Sequence, residues 1–266
     1  MVNKLWNHIQ SVRDNAPLVH NITNFVVMNN TANALLAAGA SPIMAHAHPE
    51  VKDMVSICQA LVINIGTLDE YFVKSMKMAA GQANALGKPW VLDPVGAGAT
   101  PFRDEVLSEL LALHPTVIRG NASEIMALAK ANQTITKGVD STAQSNEAIE
   151  AARFLQAIYG AVVCISGATD IVVGPEQTIF LKNGHPLMTK VTGLGCSSTA
   201  VIGAFIAVIP DKTEAVTAAM ALFSLAGERA AQTAAGPSSL QMQLLDELYA
   251  LTETDFKQQI NISLHA

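Results

Sequence analysis

Two acids and one glycine-rich run have the residue types needed to move a phosphoryl group. The run is Thr189-Lys190-Val191-Thr192-Gly193-Leu194-Gly195-Cys196-Ser197-Ser198-Thr199, and it passes into a small, apolar stretch that ends at Pro210. This pattern reads as a glycine turn opening a buried helix. Glycine lets the backbone approach a ligand with no Cβ in the way. The first N–H groups of a helix have no partner within it, and the helix dipole adds partial positive charge there. Gly193, Leu194, Gly195 and Cys196 therefore form a candidate anion hole, for a phosphate or for the charge that builds as one is transferred. Cys196 falls in the same first turn, where a thiol's pKa tends to drop. The plain alternative is a loop into a core helix with a buried cysteine.

Asp93 closes the run Trp90-Val91-Leu92 and precedes Pro94-Val95-Gly96-Ala97-Gly98-Ala99. A carboxylate there suits Mg²⁺, directly or through water. It also suits a turn or a helix cap. Glu124 stands three residues after Asn121, which is itself the spacing of a capping box. Placed beside Asp93, it would make a two-carboxylate Mg²⁺ site completed by nucleotide phosphates. Arg119, at a strand end, is a phosphate ligand or a surface charge. Ser166-Gly167 is a nucleotide contact or a turn, and Met44 lines an apolar pocket or belongs to the core. His20 is a base, a ligand or a satisfied histidine. His46 and His48 have the spacing of a metal pair but no third ligand. Asp93, Glu124 and the glycine loop together describe phosphoryl transfer: a metal neutralises phosphates, a helix start holds the moving group, and a base takes the acceptor's proton. The chain has no Gly-x-x-x-x-Gly-Lys-Ser/Thr loop, which excludes a P-loop enzyme.

These residues need a scaffold. Apolar runs at 17–22, 41–45, 60–65, 90–93, 116–119 and 161–166 read as strands, and helical patterns separate them. Some six alternations predict a mostly parallel sheet with helices on both faces. Asp170–Val173 and Thr178–Leu181, split by Gly174-Pro175, predict an antiparallel hairpin at one edge. Thr23-Asn24 is the expected cap of a helix reaching Gly39, and Thr67-Leu68-Asp69-Glu70 the expected capping box of another. Residues 131–146 are polar and loop-like, and three helices follow the glycine loop. With no linker or repeat, residues 1–266 are expected to form a single domain. Ligands in open α/β sheets sit at the carboxyl ends of strands, which singles out Asn21, Met44, Asn64, Asp93, Arg119, Ser166 and the 193–196 loop.

Half of the 266 residues are hydrophobic and only 14% are charged, against about 25% in an ordinary soluble domain. A large core, surface covered by another subunit, or both account for this. The net charge of −6 and the lack of a basic stretch argue against nucleic acid and anionic membranes as partners. The longest apolar run, 200–210, is too short to span a bilayer. Met1–Trp6 has no signal-peptide core, and Cys58, Cys164 and Cys196 have no metal spacing, so a reducing, cytoplasmic setting is expected.

Several motifs are specific enough to suggest a family: Val19-His20-Asn21-Ile22-Thr23-Asn24, Gly39-Ala40-Ser41-Pro42-Ile43-Met44-Ala45, Asn64-Ile65-Gly66-Thr67-Leu68, Leu92-Asp93-Pro94-Val95-Gly96-Ala97-Gly98-Ala99, Arg119-Gly120-Asn121-Ala122-Ser123-Glu124, and the run through Gly193-Leu194-Gly195-Cys196. In register over nearly the whole chain, they resemble hydroxyethylthiazole kinase, within the wider ribokinase-like group. The resemblance implies a three-layer α/β/α fold. It implies ATP-dependent phosphorylation of the hydroxyl of 4-methyl-5-(2-hydroxyethyl)thiazole in thiamine salvage. It also implies a homotrimer with substrate pockets shared between subunits. Asp93 and Glu124 then fall where the family handles Mg²⁺, and Arg119 and Ser166 at the ATP contacts. Met44 and Gly193 fall at the thiazole contacts, Asn24 near the substrate, and Cys196 at the position of the catalytic base. The rivals are a kinase for another vitamin precursor such as hydroxymethylpyrimidine, a non-catalytic nucleotide-binding protein, and a cysteine hydrolase. The last has no evident His–acid partnership behind Cys196.

Overall fold

Strand and helix alternate along the chain in the order that the apolar runs predict. A computed structural model describes residues 1–132 and 144–265. Helix α1 (Val2–Asn15) leads to β1 (Leu18–Ile22), α2 (Met28–Ala38), β2 (Ser41–Ile43), α3 (Val51–Ile57) and β3 (Ala60–Asn64). Then come α4 (Glu70–Ala85), β4 (Trp90–Asp93), α5 (Pro101–Leu111), β5 (Val117–Asn121), α6 (Ala122–Asn132), α7 (Gln144–Tyr159) and β6 (Val162–Ser166). Strands β7 (Asp170–Val173) and β8 (Thr178–Leu181) are followed by a 3-10 turn (Pro186–Lys190), α8 (Leu194–Val208), α9 (Lys212–Thr233), α10 (Pro237–Ala250), α11 (Glu253–Gln259) and β9 (Ile262–His265).

The strands form one sheet in the order β2-β1-β3-β4-β5-β6-β7-β8-β9. Pairing is parallel from β2 through β6 and antiparallel from β6 to β9. The β7–β8 hairpin is where the sequence puts it. One face carries α1, α2, α8, α9 and α10 over Val19, Val62, Val91 and Val117. The other carries α3 to α7 over Leu61, Ile63, Leu92 and Ile118. The result is three layers, α/β/α.

Strand parity decides where the polar strand ends point. Side chains alternate faces along a strand. Val62 faces α8, Ile63 the opposite layer, and Asn64 faces α8 again. Val91, Leu92 and Asp93 repeat that sequence, as do Val117, Ile118 and Arg119. Strand order reverses at β1, which sends the chain outward to β2 before β3 returns to its other side, so a crevice opens at the carboxyl ends of β1 and β3.

Several local expectations change. Asn24 does not cap α2, which starts at Met28 behind Val27 with no side-chain cap; its amide is used on β3 instead. The cap of α4 is Asp69, accepting from Phe72 N, while Thr67 Oγ1 accepts from Phe25 N. Helix α11 and strand β9 were not anticipated; β9 is only four residues long and pairs solely with β8. The loop expected over 131–146 lies mainly outside the described residues; Ala131 and Asn132 end α6, and Gln144 opens α7.

Candidate active site

The turn at Gly193 sets the start of α8. Gly193 is the N-cap, with φ +79°, in the left-handed region that glycine occupies without penalty. A Cβ there would also collide with Val27 Cγ1. The first intrahelical bond is Ser197 N–H to Gly193 O at 2.9 Å. The amides of Leu194, Gly195 and Cys196 therefore precede the helical ladder and are available to an anion.

Behind that turn, Arg119 rises from β5. It is 9% exposed, its Nε has no hydrogen-bond partner, and no carboxylate lies within ion-pair distance among the described residues. A Cβ on Gly195 would meet Arg119 Nη1 at 2.7 Å, so only glycine lets the guanidinium approach the helix start. A buried cation without a partner is costly unless something outside the chain supplies the negative charge. Arg119, Ser166, Gly193, Leu194 and Gly195 all line one cavity of about 670 Å³. That size suits a nucleotide-class ligand.

Asp93 sits one strand over, 1% exposed. Its Oδ2 accepts from Asn64 Nδ2 at 2.6 Å and from Thr199 Oγ1 of α8 at 2.8 Å. Burial pushes its pKa up to about 6, opposed by Arg119 and by the Thr199 hydrogen bond, and reinforced by Glu124. Asn64 Oδ1 in turn accepts from Asn24 Nδ2 at 2.8 Å, and the same Asn24 amide reaches Cys196 Sγ at 3.5 Å. A chain of polar contacts thus joins the loop after β1 to β3, β4 and α8 at the reversal point of the sheet.

Glu124 makes the capping box that its spacing allows. Its Oε2 accepts from Asn121 N at 2.8 Å while Asn121 Oδ1 accepts from Glu124 N at 3.0 Å, a complete capping box. Its Oε1 accepts from Gly96 N at 2.9 Å, which ties the loop after Asp93 to α6. Arg103 clamps the neighbouring loops by donating to Ile65 O, Val95 O and Gly66 O. Asn64 is one of the strand-end residues that the sequence singles out, whereas Arg103 and Thr199 are not marked by type and spacing. The hydroxyl cluster Ser197-Ser198-Thr199 ahead of the apolar part of α8 is the signal that points to Thr199, since a buried hydroxyl needs a partner.

Cys196 departs from its local expectation. Burial and the nearby Asp93 push its thiol up to about 11, although it stands in a first helical turn. The thiol is therefore protonated at neutral pH. Its alkylation by iodoacetamide is expected to stay slow from pH 6 to 9 and to accelerate only as pH approaches about 11; fast labelling at pH 7 would contradict this.

Other candidates fall outside this constellation. Met44 follows β2, with β1 and β3 between that strand and β4, about 14 Å across the sheet. His20 is fully buried and its Nε2 lies 2.6 Å from Ala45 O; burial lowers its pKa, so it is neutral. His46 packs on Phe72 and His48 stacks on Tyr71. No group of three or more His, Cys, Asp or Glu among the described residues could hold a metal.

The model of the hydroxyethylthiazole kinase family matches residues 9–254. The chain belongs to the hydroxyethylthiazole kinase family. A hydroxyethylthiazole kinase of Syntrophus aciditrophicus is 53% identical over 258 residues, covering 97% of this chain and 96% of that protein. One from Vibrio parahaemolyticus is 54% identical over 254 residues, 95% of each. The solved hydroxyethylthiazole kinase of Pyrococcus horikoshii superposes with a TM-score of 0.92 at 42% identity, covering 99% of this chain and all of that one. More distant is a Bacillus subtilis pyridoxal kinase, with a TM-score of 0.58 at 20% identity over 80% of this chain and 92% of that one. It shares the fold. In this member of the hydroxyethylthiazole kinase family, residues expected at the ATP contacts line the cavity, and those expected at the metal and base converge beside it. Met44 alone stands apart.

Proposed function

We infer that the protein transfers the γ-phosphoryl group of ATP to the hydroxyl of 4-methyl-5-(2-hydroxyethyl)thiazole, a step of thiamine salvage. The observation that carries this is Arg119: a buried guanidinium with no carboxylate in ion-pair contact and an unpartnered Nε, set against the free amides of α8 on a nucleotide-sized cavity. Membership of the hydroxyethylthiazole kinase family supplies the acceptor.

Asp93 and Glu124 are the residues that would hold Mg²⁺. They fit it chemically, because both offer hard carboxylate oxygens and Asp93 Oδ1 takes no hydrogen bond. When bound, the cation neutralises phosphate charge. The chain's own contribution is electrostatic and positional. The amides of Leu194, Gly195 and Cys196 face the charge on the moving phosphoryl group. Arg119 and Ser166 hold the nucleotide on one side of that turn. Asn24 and Gly193 orient the acceptor on the other. As the acceptor oxygen bonds to phosphorus, the bond to ADP breaks and the hydroxyl proton passes to an oxygen of the transferred phosphoryl group. Cys196, a protonated thiol, hydrogen-bonds the acceptor hydroxyl and positions it without taking that proton. Cys196→Ala is therefore expected to lower kcat about ten- to a hundredfold without abolishing turnover. A kcat equal to wild type would remove Cys196 from the reaction.

Met44 enters the thiazole pocket from a neighbouring subunit in this reading. Phe25 and Val26, 58% and 62% exposed beside Asn24, and the partly exposed edge strand β2 support a homotrimer with shared pockets. A solution mass near three times 28.0 kDa agrees with it, and a stable monomer does not. No helix among the described residues is long and apolar enough to cross a membrane.

The decisive experiment is ADP release coupled to NADH oxidation, with and without the thiazole alcohol and Mg²⁺. Release is expected only when both are present. Hydroxymethylpyrimidine as the better acceptor would redirect the assignment, and ADP release independent of any alcohol would end it.

A further inference from the structure

The cavity beside Arg119 has two walls of different origin. One face of α9 forms the back, through Met220, Phe223 and Ser224 at helical spacing. The segment from Asn183 to Val191 forms the front, with Met188 and Val191 on the cavity side. The next turn of the same α9 face continues as Gly227 and Glu228, and both hold that front segment. A Cβ on Gly227 would meet Met188 Sδ at 2.5 Å, so the methionine packs into the notch that the glycine leaves. Glu228 Oε1 accepts from Asn183 Nδ2 at 3.1 Å, and Oε2 accepts from Gly184 N–H at 3.0 Å.

This anchor is saturated. Asn183 is 4% exposed; its Nδ2 also donates to Gln259 O at 3.0 Å, and its Oδ1 accepts from Asn261 N at 2.7 Å. Gly184 has φ +127°, a conformation that a side chain rarely adopts, and this turns its N–H onto the carboxylate. Glu228 makes no ion pair among the described residues, so both its oxygens serve the front wall.

We propose that Glu228 is a positioning residue for ATP: by holding Asn183 and Gly184 it sets Met188 and Val191 against the nucleoside end of the nucleotide. This rests on the reading of the cavity as the ATP site. Glu228 touches no reacting atom, so its effect belongs in nucleotide affinity and not in the chemical step.

Glu228→Ala strips both N–H groups of their acceptor. It is expected to raise KM for ATP about tenfold, with kcat and KM for the thiazole alcohol within about twofold of wild type. ADP affinity, measured by calorimetry without alcohol, falls by the same factor. Glu228→Gln keeps one accepting oxygen and gives an intermediate value; it carries the test if the alanine variant does not fold. Unchanged ATP and ADP affinity, with or without a lower Tm, overturns the proposal. So does an equal rise in both KM values. Arg119→Met, run alongside, separates the two readings: if it too leaves ADP affinity intact, the nucleotide binds elsewhere. If it weakens ADP while Glu228→Ala does not, the cavity stands and the role of Glu228 falls.

Discussion

Asp93→Asn should lower kcat about 10²- to 10³-fold at saturating substrates while the protein keeps its fold. The substitution is close to a pure removal of charge. One oxygen of the new amide can still accept from Asn64 Nδ2 and Thr199 Oγ1, the two groups that hold Asp93 Oδ2 now. What disappears is the negative charge that the proposed mechanism sets against the metal and the reacting phosphates. The Mg²⁺ concentration for half-maximal rate should rise in the variant, and superimposable Mg²⁺ titrations would take Asp93 out of metal handling.

Stability should move in the opposite direction. Burial raises the Asp93 pKa from 3.8 to about 6. A carboxyl shifted upward adds stability that is fully present below its unfolded pKa and is lost as pH climbs through its folded pKa. The wild type therefore loses roughly 3 kcal/mol between pH 4 and 6 from this group, and the Asn variant does not. In EDTA, the Tm of Asp93→Asn relative to wild type is expected to rise across that window and level off above it. A difference that stays flat with pH would show that Asp93 is ionised at little cost in the fold.

Arg119→Met has the second large expected effect, and again activity and stability part company. The guanidinium is buried and lacks both an ion pair and a partner for Nε. Methionine has a similar length and no charge to desolvate. The nucleotide-free variant is expected to be no less stable than wild type, and to gain about 1–3 kcal/mol, a Tm rise of several degrees. ATP affinity should fall about a hundredfold, since a charge-assisted contact to phosphate is lost in a site of low dielectric. A second effect follows from position: Arg119 lowers the pKa values of Asp93, Asp170 and Cys196. Removing it raises all three, so kcat falls as well. A variant with lower Tm and unchanged ATP affinity would mark Arg119 as a structural residue.

These two residues show what the chain discloses locally. The buried strands ending at Asn64 and Asp93 are legible because a strand covered on both faces is a continuous apolar run. The reversal at Gly193 is legible because two glycines within three residues precede a helix of small apolar side chains. The Asn121–Glu124 capping box is legible because it spans three residues. Each signal lies between near neighbours in the chain, and each held.

Other features joined residues remote in sequence, and the local signal misled or was silent. A first helical turn predicts a depressed thiol at Cys196, but Asp93 and the surrounding core reverse it. Asn24 resembles a cap, yet its amide is drawn away to Asn64, on a strand two helices later. Nothing near Arg119 in the chain says that it will be buried with no carboxylate in ion-pair contact. Thr199 and Asp93 are 106 residues apart and still share a hydrogen bond. By itself, the sequence determined the layers, the strand ends and the glycine turn that opens α8, because hydrophobic period and backbone geometry are local. Only the tertiary structure decided which of those ends are charged, which are neutral and which lack a partner, because desolvation and Coulomb energy depend on everything packed within a few ångströms, wherever in the chain it comes from.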